Sequence, residues 1–473
     1  MIELWPFQQT LIQDLRSALI SGHRAPLLVS PTGSGKTVMF AYLTSRLAAN
    51  GFRTMILAHR KELLHQISDT LADFDVLHGI VAPGAKYAYR AHHPVHVASV
   101  FTIVHRLKWV VAPDYVIIDE AHHAIAGSTW SKALDHWRLL NPKMRLIGVT
   151  ATPERLSGEG LDDTFDTLLM GPSVKELIRD SYLAPYRIFA PPVAIDTSGL
   201  HRRAGDFIRA EAAALMDKPK ITGDAIEHYR RHLNGAPVVA FCVSIEHAHH
   251  VAENFRQEGY RAAAVDGTMK DRERTGIVQD FTAGRLNVMT SCDLVSEGFD
   301  VPGMMGCINL RPTESLAMCL QQWGRTLRYQ DGKTAILLDH VGNSARHGLP
   351  DQDRQWSLAG RPKSDNRRDE DDISIRQCGA CGRVCGVASR NCPECGAEFE
   401  IKARKIQEVA GTLEEIEQQR QQEIYTRKNE VFSARDIETL TQIGRMRGMN
   451  NPVGWAGHVL AARAKKALKR NNL

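Results

Sequence analysis

Short apolar runs recur along this chain, and stretches with helical spacing separate them. Pro26–Val29, Arg53–Ala58, Val95–Ser99, Tyr115–Ile118 and Leu146–Val149 read as buried strands in the first half. Helical patterns fall between them, at Thr10–Ile20, at Val38–Ala49 and from His59 onward. Alternation of this kind predicts a parallel sheet with helices on both faces. Tyr182-Leu183-Ala184-Pro185 reads as a hinge, with Pro185 stopping the preceding helix. A second α/β pattern follows: strands at Pro237–Cys242, Ala262–Val265 and Leu286–Thr290, helices at Ser244–Glu258 and Arg272–Phe281.

Composition adds bounds. A chain of 473 residues has room for about three domains. Its 43% hydrophobic and 24% charged residues are ordinary for a soluble protein. The net charge of +5 is too small for a global basic signature, so any nucleic-acid surface is a local patch. Met1–Arg16 lacks the apolar core of a secretion signal, and no apolar run approaches the ~18 residues of a membrane span. The expected location is cytoplasmic, with no membrane partner.

The chemistry concentrates at strand ends. Ser30-Pro31-Thr32-Gly33-Ser34-Gly35-Lys36-Thr37 links the first strand to a helix, the context of a phosphate-binding loop. Glycines let backbone N–H groups close around phosphate oxygens, and the helix dipole favours the negative charge. Lys36 would reach the β- and γ-phosphates, and the Thr37 hydroxyl would hold Mg²⁺. Ser30 stands where the strict pattern has glycine. The strand at Tyr115 ends in Asp119-Glu120-Ala121-His122: Asp119 would hold Mg²⁺, and Glu120 would orient or deprotonate the attacking water. Thr150-Ala151-Thr152 closes the Leu146 strand, with hydroxyls in reach of the acidic pair. Gln8 offers an amide that could read an adenine edge, or it simply starts a helix with an aromatic staple. Arg60 sits where open α/β sheets bind ligands and reads equally as a solvated helix start; Ser99 and Thr102 suit phosphate contact. Leu156–Gly160 faintly echoes a transporter-type ATPase signature but follows the acidic strand, so it reads as a loop.

Pro31–Thr37, Asp119–His122 and Thr150–Thr152, in this order and spacing, resemble motifs I, II and III of superfamily 2 helicases. The Asp-Glu-Ala-His form is similar to the DEAH-type DNA motors of restriction enzymes and repair. The resemblance extends over about residues 1–345. It implies two RecA-like lobes in tandem that hydrolyse ATP with Mg²⁺ and act on nucleic acid, DNA more than RNA. Phe7-Gln8 then stands for the adenine-recognition motif, Leu57–Gln66 for motif Ia and Ala98–Arg106 for motif Ib. Trp5 replaces the arginine often found two residues before the family's aromatic residue, and would stack on adenine in its place. Thr290–Pro302 resembles motif V: Asp300 would contact the ribose or γ-phosphate side, and Thr290 and Ser291 the nucleic-acid backbone. Gln321–Arg328 resembles motif VI, where Gln321, Gly324, Arg325 and Arg328 share one helix face and the two arginines would stabilise charge on the γ-phosphate.

Beyond that region, Gly360–Gln377 reads as a charged, solvated linker. Cys378-x-x-Cys381 and Cys392-x-x-Cys395 have the spacing of a tetrahedral Zn²⁺ site, and Cys385 belongs to neither knuckle. The ribbon would touch nucleic acid or a partner, or serve as a stapled spacer. Ile401–Thr426 is a polar helical pattern, Ser433–Asp436 could cap another helix, and Arg463–Arg470 makes a basic end that would grip phosphate or simply be solvated. A protein partner through this tail is a further expectation. The expected organisation is lobe one at 1–184, lobe two at 185–345, a charged linker at 346–376, a zinc ribbon at 377–400 and a helical basic tail at 401–473. Two other readings of the whole chain are an adaptor using ATP as a conformational switch, and the motor of a restriction or repair complex whose nuclease lies in a partner.

Overall fold

The computed structural model describes residues 3–83, 90, 92–124, 127–155, 159–191, 196–203, 205–217, 219–292, 303–360, 375–399, 434, 436–446, 452–454, 456–457 and 459–460. The chain forms two compact units, Met1–Phe399 and Glu400–Leu473.

The larger unit holds two sheets. Its first part runs α1 (Pro6–Ile20), β1 (Pro26–Val29), α2 (Lys36–Ala49), β2 (Thr54–Ala58), α3 (Lys61–Asp73), β3 (His78–Val81), β4 (Val95–Ser99), α4 (Val100–Ile103), β5 (Tyr115–Asp119), α5 (Thr129–Leu140), β6 (Arg145–Thr150), β7 (Thr167–Met170) and α6 (Val174–Arg179). The seven strands pair in the order β3-β4-β2-β5-β6-β1-β7, all parallel. Alternate residues of one strand enter different cores: Leu27 and Val29 pack against Trp137 and Leu146 on one face, Leu28 against Leu15 and Phe40 on the other. Burial on both faces is why these strands read as unbroken apolar runs.

The second part runs β8 (Tyr186–Phe189), the short hairpin β9 (Arg202–Arg203) and β10 (Asp206–Phe207), α7 (Arg209–Met216), α8 (Pro219–His232), β11 (Val238–Phe241), α9 (Ile245–Gln257), β12 (Ala262–Val265), α10 (Asp271–Thr282), β13 (Val288–Ser291), β14 (Gly306–Asn309), α11 (Leu316–Thr326), β15 (Ala335–Asp339), α12 (Asn343–His347), β16 (Ile375–Gln377) and β17 (Arg383–Gly386). The sheet order is β12-β13-β11-β14-β15-β8-β17-β16. The first six strands are parallel; β17 lies antiparallel on β8, with Val384 opposite Ile188 and Arg383 opposite Phe189. The architecture is thus two RecA-like lobes, with the cysteine-rich segment continuing the second sheet rather than standing apart as a spacer.

Three local expectations need correction. Helix α1 begins at Pro6, not Thr10, because proline suits the first helical position and Gln8 Oε1 accepts the Trp5 N–H at 2.9 Å. Pro185 does not stop the helix before it: α6 ends at Arg179, and Ser181 at φ 60° turns the chain. The linker expected over 346–376 is packed along 346–360, where Arg354 donates to the carbonyls of His347 and Leu349 at 3.0 and 2.8 Å; residues 361–374 lie outside the described residues.

Buried neutral histidines set an acid limit on stability. Burial holds His340 down at about 3 and His247 and His96 at about 4. In the unfolded chain they titrate near 6.5, so between pH 6.5 and 4 the unfolded state binds more protons. Their stabilising effect is complete above pH 6.5 and is lost as pH falls towards 4. The melting temperature is expected to drop by roughly 5 °C or more between pH 7 and 5, and His247→Gln should flatten that slope in differential scanning fluorimetry.

In the smaller unit, the helix Ile437–Met446 is capped by Asp436, whose carboxylate accepts from the Thr439 N–H and hydroxyl at 2.7 and 2.8 Å. Leu440 and Ala456 form its small core with Ala434. The Ile401–Thr426 pattern and the Arg463–Arg470 run lie outside the described residues.

Candidate active site and metal centre

The loop between β1 and α2 reaches the carboxyl edge of the first sheet. Gly33 and Gly35 take φ +90° and +76°, the left-handed region that glycine enters without a Cβ clash. Space matters as well: a Cβ on Gly35 would lie 2.5 Å from Gln8 Nε2. The serine in place of the expected glycine has a use, since Ser30 Oγ donates to Ser34 Oγ at 2.7 Å inside the loop, and the Ser30 N–H ties the loop to Thr150 O at 3.0 Å. Of the two readings of Gln8, the helix start is the one seen here. Its Oε1 caps α1, its Nε2 donates to Ser34 O at 2.9 Å, and one amide hydrogen remains. Trp5 lies tilted against Tyr182 with ring centres 4.8 Å apart, and Tyr182 also meets Phe7 edge-on at 5.1 Å, so an aromatic group borders the loop.

Lys36 starts α2, and its ammonium donates to Ser30 O and Pro31 O at 3.2 and 3.3 Å. Burial lowers its pKa; Glu120 and Asp119 oppose that, while Arg325 and Arg328 add to it. Four charged groups from two lobes therefore act on Lys36. Asp119, at the end of β5, is pushed up to about 6 by burial and by Glu120. Glu120 sits at φ 49°, ψ 55°, a left-handed conformation unusual for a non-glycine residue, and its N–H donates to Asp119 Oδ1 at 3.0 Å. Its Oε2 is buried without a hydrogen-bond partner among the described residues, 3.6 Å from His122 Nδ1. Thr150 does not touch the acidic pair directly, as the sequence suggested. It meets His122 Nδ1 at 3.1 Å and donates to Thr152 O at 2.9 Å, so His122 connects it to Glu120. His122 was legible as a motif letter, but its position between two motifs was not.

From the other lobe, α11 brings Gln321, Gly324 and Arg325, all buried, and Arg328, half-buried, follows the helix. Contact with the loop is close: a Cβ on Gly324 would stand 2.5 Å from Thr32 Cβ, and one on Gly33 would stand 2.9 Å from Leu183 Cδ2 and 3.6 Å from Arg328 Cγ. Burial lowers Arg328 to about 10. Asp300 lies outside the described residues.

The nucleic-acid set is less coherent. Arg60, which precedes α3, is half-buried, and its Nε donates to His59 Nε2 at 3.3 Å. Ser99 is buried at the start of α4. Thr290 and Ser291 are buried in β13, and the Thr290 hydroxyl donates to Ala248 O at 2.7 Å, so it faces α9 rather than a bound strand.

Sγ atoms of Cys378, Cys381, Cys392 and Cys395 all lie within 4.8 Å of one another, and the pairs 378–395 and 381–392 are 3.6 Å apart. A disulfide would need about 2.05 Å. Tetrahedral Zn²⁺ with Zn–S near 2.3 Å puts sulfurs about 3.8 Å apart, so the four thiols fit that ion. Gln377 Nε2 donates to Ala190 O and Pro191 O at 2.7 and 2.8 Å, and Arg187 pairs with Glu394 at 2.8 Å, fastening the cluster to β8.

Two lobes built on largely parallel sheets, with a glycine-rich loop, a buried acidic pair and basic residues brought in from the second lobe, define a P-loop ATPase of the helicase type. Residues 1–155 match the model of the type III restriction enzyme res subunit, and 218–330 that of the helicase conserved C-terminal domain. A 51.5 kDa protein of a Lactococcus phage is 33% identical over 378 residues, covering 80% of this chain and 79% of its own. The putative ATP-dependent helicase IRC3 of Saccharomyces cerevisiae is 29% identical over 72% of this chain and 51% of its own. Among solved structures, the fragment of a putative HsdR subunit of a type I restriction enzyme from Vibrio vulnificus aligns with TM-score 0.56 at 21% identity, over 72% of this chain and 65% of that one. The type ISP restriction-modification enzyme LlaBIII bound to DNA aligns at 0.53 and 18%, over 71% and 27%. The chain belongs to the superfamily 2 helicases, of the restriction-enzyme motor type. It spans about half of the yeast relative's length.

Proposed function

We propose that this ATP-dependent helicase-family enzyme is a DEAH-type motor that hydrolyses ATP to move along, or unwind, DNA. Contact between Gly324 and the phosphate loop carries this reading, because it sets the arginine-bearing helix of one lobe against the nucleotide loop of the other. ATP would lie with its phosphates on the N–H groups of Pro31–Thr37's glycine-rich turn and on Lys36. Its base would lie near Trp5 and the remaining amide hydrogen of Gln8, with Asp300 near the ribose or γ-phosphate. The Glu120 oxygen, which has no hydrogen-bond partner among the described residues, and the raised Asp119 suit a divalent cation, which Asp119 and Thr37 would hold and which would neutralise phosphate charge. Glu120 takes the proton of the attacking water, steadied by His122. Arg325 and Arg328 bear on the γ-phosphate oxygens, and Gln321 positions the water or that phosphate. In this reading 1–184 and 185–345 act as the two lobes, the segment at 182–185 as their hinge, and turnover alternately closes and opens the seam. Arg60 and Ser99 would face the nucleic-acid backbone. The match to the type III restriction enzyme res subunit supports taking DNA over RNA in this reading.

Turnover measured with no nucleic acid, duplex DNA, single-stranded DNA and RNA tests the reading. A severalfold rise with DNA, with strand displacement or triplex displacement on the same substrate, is expected; a rate indifferent to every nucleic acid would overturn it.

For the cysteine cluster, one Zn²⁺ per chain is expected by atomic emission. Cys381→Ser should abolish it and lower the melting temperature of the second lobe, since the ribbon strands pair with β8.

A further inference from the structure

The chain crosses between the lobes at 180–185, crosses in the opposite direction after α12, and is back in the second lobe by β16. Residues 349–360 leave the second lobe with their near half pre-formed. Arg354 gathers the carbonyls of His347, Leu349 and Gln352 at 2.8 to 3.0 Å, and the Tyr186 hydroxyl of β8 donates to Asp351 Oδ1 at 2.5 Å. The far half belongs to the first lobe. Leu358 O accepts from the Leu161 and Asp162 N–H groups at 2.6 and 3.1 Å, Gly360 bridges to Glu159, and the Leu358 side chain packs on the core that contains Leu161 and Phe165. Gly160 is glycine for space: a Cβ there would lie 2.1 Å from Leu358 O and 2.3 Å from Ala359 C, both backbone atoms that cannot swing away. Between the two anchors the segment borders an open pocket of about 230 Å³ against Thr32, Gly324 and Leu327, from the same loop and helix that meet in the interlobe contact.

We propose that residues 349–360 are a second interlobe tether, with Gly160 and Leu358 as positioning residues that keep Arg325 and Arg328 close to the phosphate loop before nucleotide arrives. The proposal builds on the ATP-cleft reading. A single connection leaves two lobes free to swing, whereas a second one with its own anchors on both sides restricts the opening. Nucleotide then binds a cleft already assembled, and less of its binding energy goes into closing it.

The test uses the full chain carrying Gly160→Val or Leu358→Asp, with non-canonical residues labelled at exposed Leu139 and Gln257 for single-molecule energy transfer. Without nucleotide, wild type should give one narrow interlobe distance. Both variants should give a broader, longer distribution that a non-hydrolysable ATP analogue narrows again. KM for ATP should rise about tenfold, equivalent to 1.4 kcal/mol, with kcat at saturation within twofold of wild type. Should Gly160→Val fail to fold, Leu358→Asp reads the same contact from the other side. Unchanged distance distributions in Leu358→Asp would overturn the tether. A wrong ATP reading would show differently, as no turnover in wild type while the distances still respond to the variants.

Discussion

Glu120→Gln should lower kcat for ATP about 10²–10⁴-fold while leaving ATP binding within a few fold of wild type. The argument is geometric. Glu120 is held in a left-handed conformation just after β5, its Oε2 is buried without a hydrogen-bond partner among the described residues, 3.6 Å from His122 Nδ1, and the like charge of Asp119 lies next to it. Burial and the like charge of Asp119 work against a charged group there, with the His122 ring at 3.6 Å and the Lys36 ammonium set against them. Glutamine keeps the shape, removes the repulsion and removes the basic oxygen. The melting temperature should therefore stay level or rise as turnover collapses, and calorimetry beside a steady-state assay reads both. Equal rates for variant and wild type would show that the water is activated elsewhere. Lys36→Ala should also remove turnover, but with weakened ATP binding, because the ammonium acts on phosphates in ground and transition states alike.

Arg325→Ala and Arg328→Ala are each expected to cut kcat about 10³–10⁵-fold, the range of an arginine finger. Both guanidinium groups act on Lys36, and Arg328 packs on the Gly33 turn, so neither is a solvated surface charge. Lysine in either place should rescue little, since a point charge does not reproduce the planar fork. Mutating one arginine at a time separates them: if one variant turns over normally, that residue only packs against the loop.

Much of this site was legible from residue order, because its groups lie at strand ends. A strand end announces itself as an apolar run stopping at a polar cluster, and the runs before Ser30, Asp119 and Thr150 are buried on both faces. Short strands escaped for the opposite reason. Half-buried β3 and β7 sit at sheet edges, and β14 and β15 are brief runs without motif residues behind them. Side-chain direction was also hidden. Thr290 stands in a nucleic-acid motif by sequence, yet α9 packs on β13 and takes its hydroxyl. Long-range pairing was the least readable level. Nothing local in Val384 or Leu358 signals that the first continues β8 and the second reaches back to Leu161.

Binding of ADP with aluminium fluoride and Mg²⁺, compared with ADP and Mg²⁺ alone, is the most direct test of a phosphate gripped from both lobes. The transition-state mimic should bind wild type at least about 10²-fold more tightly than ADP. In Arg325→Ala and Arg328→Ala that advantage should vanish while ADP affinity holds. If the variants keep the full advantage, the second lobe does not touch the reacting phosphate.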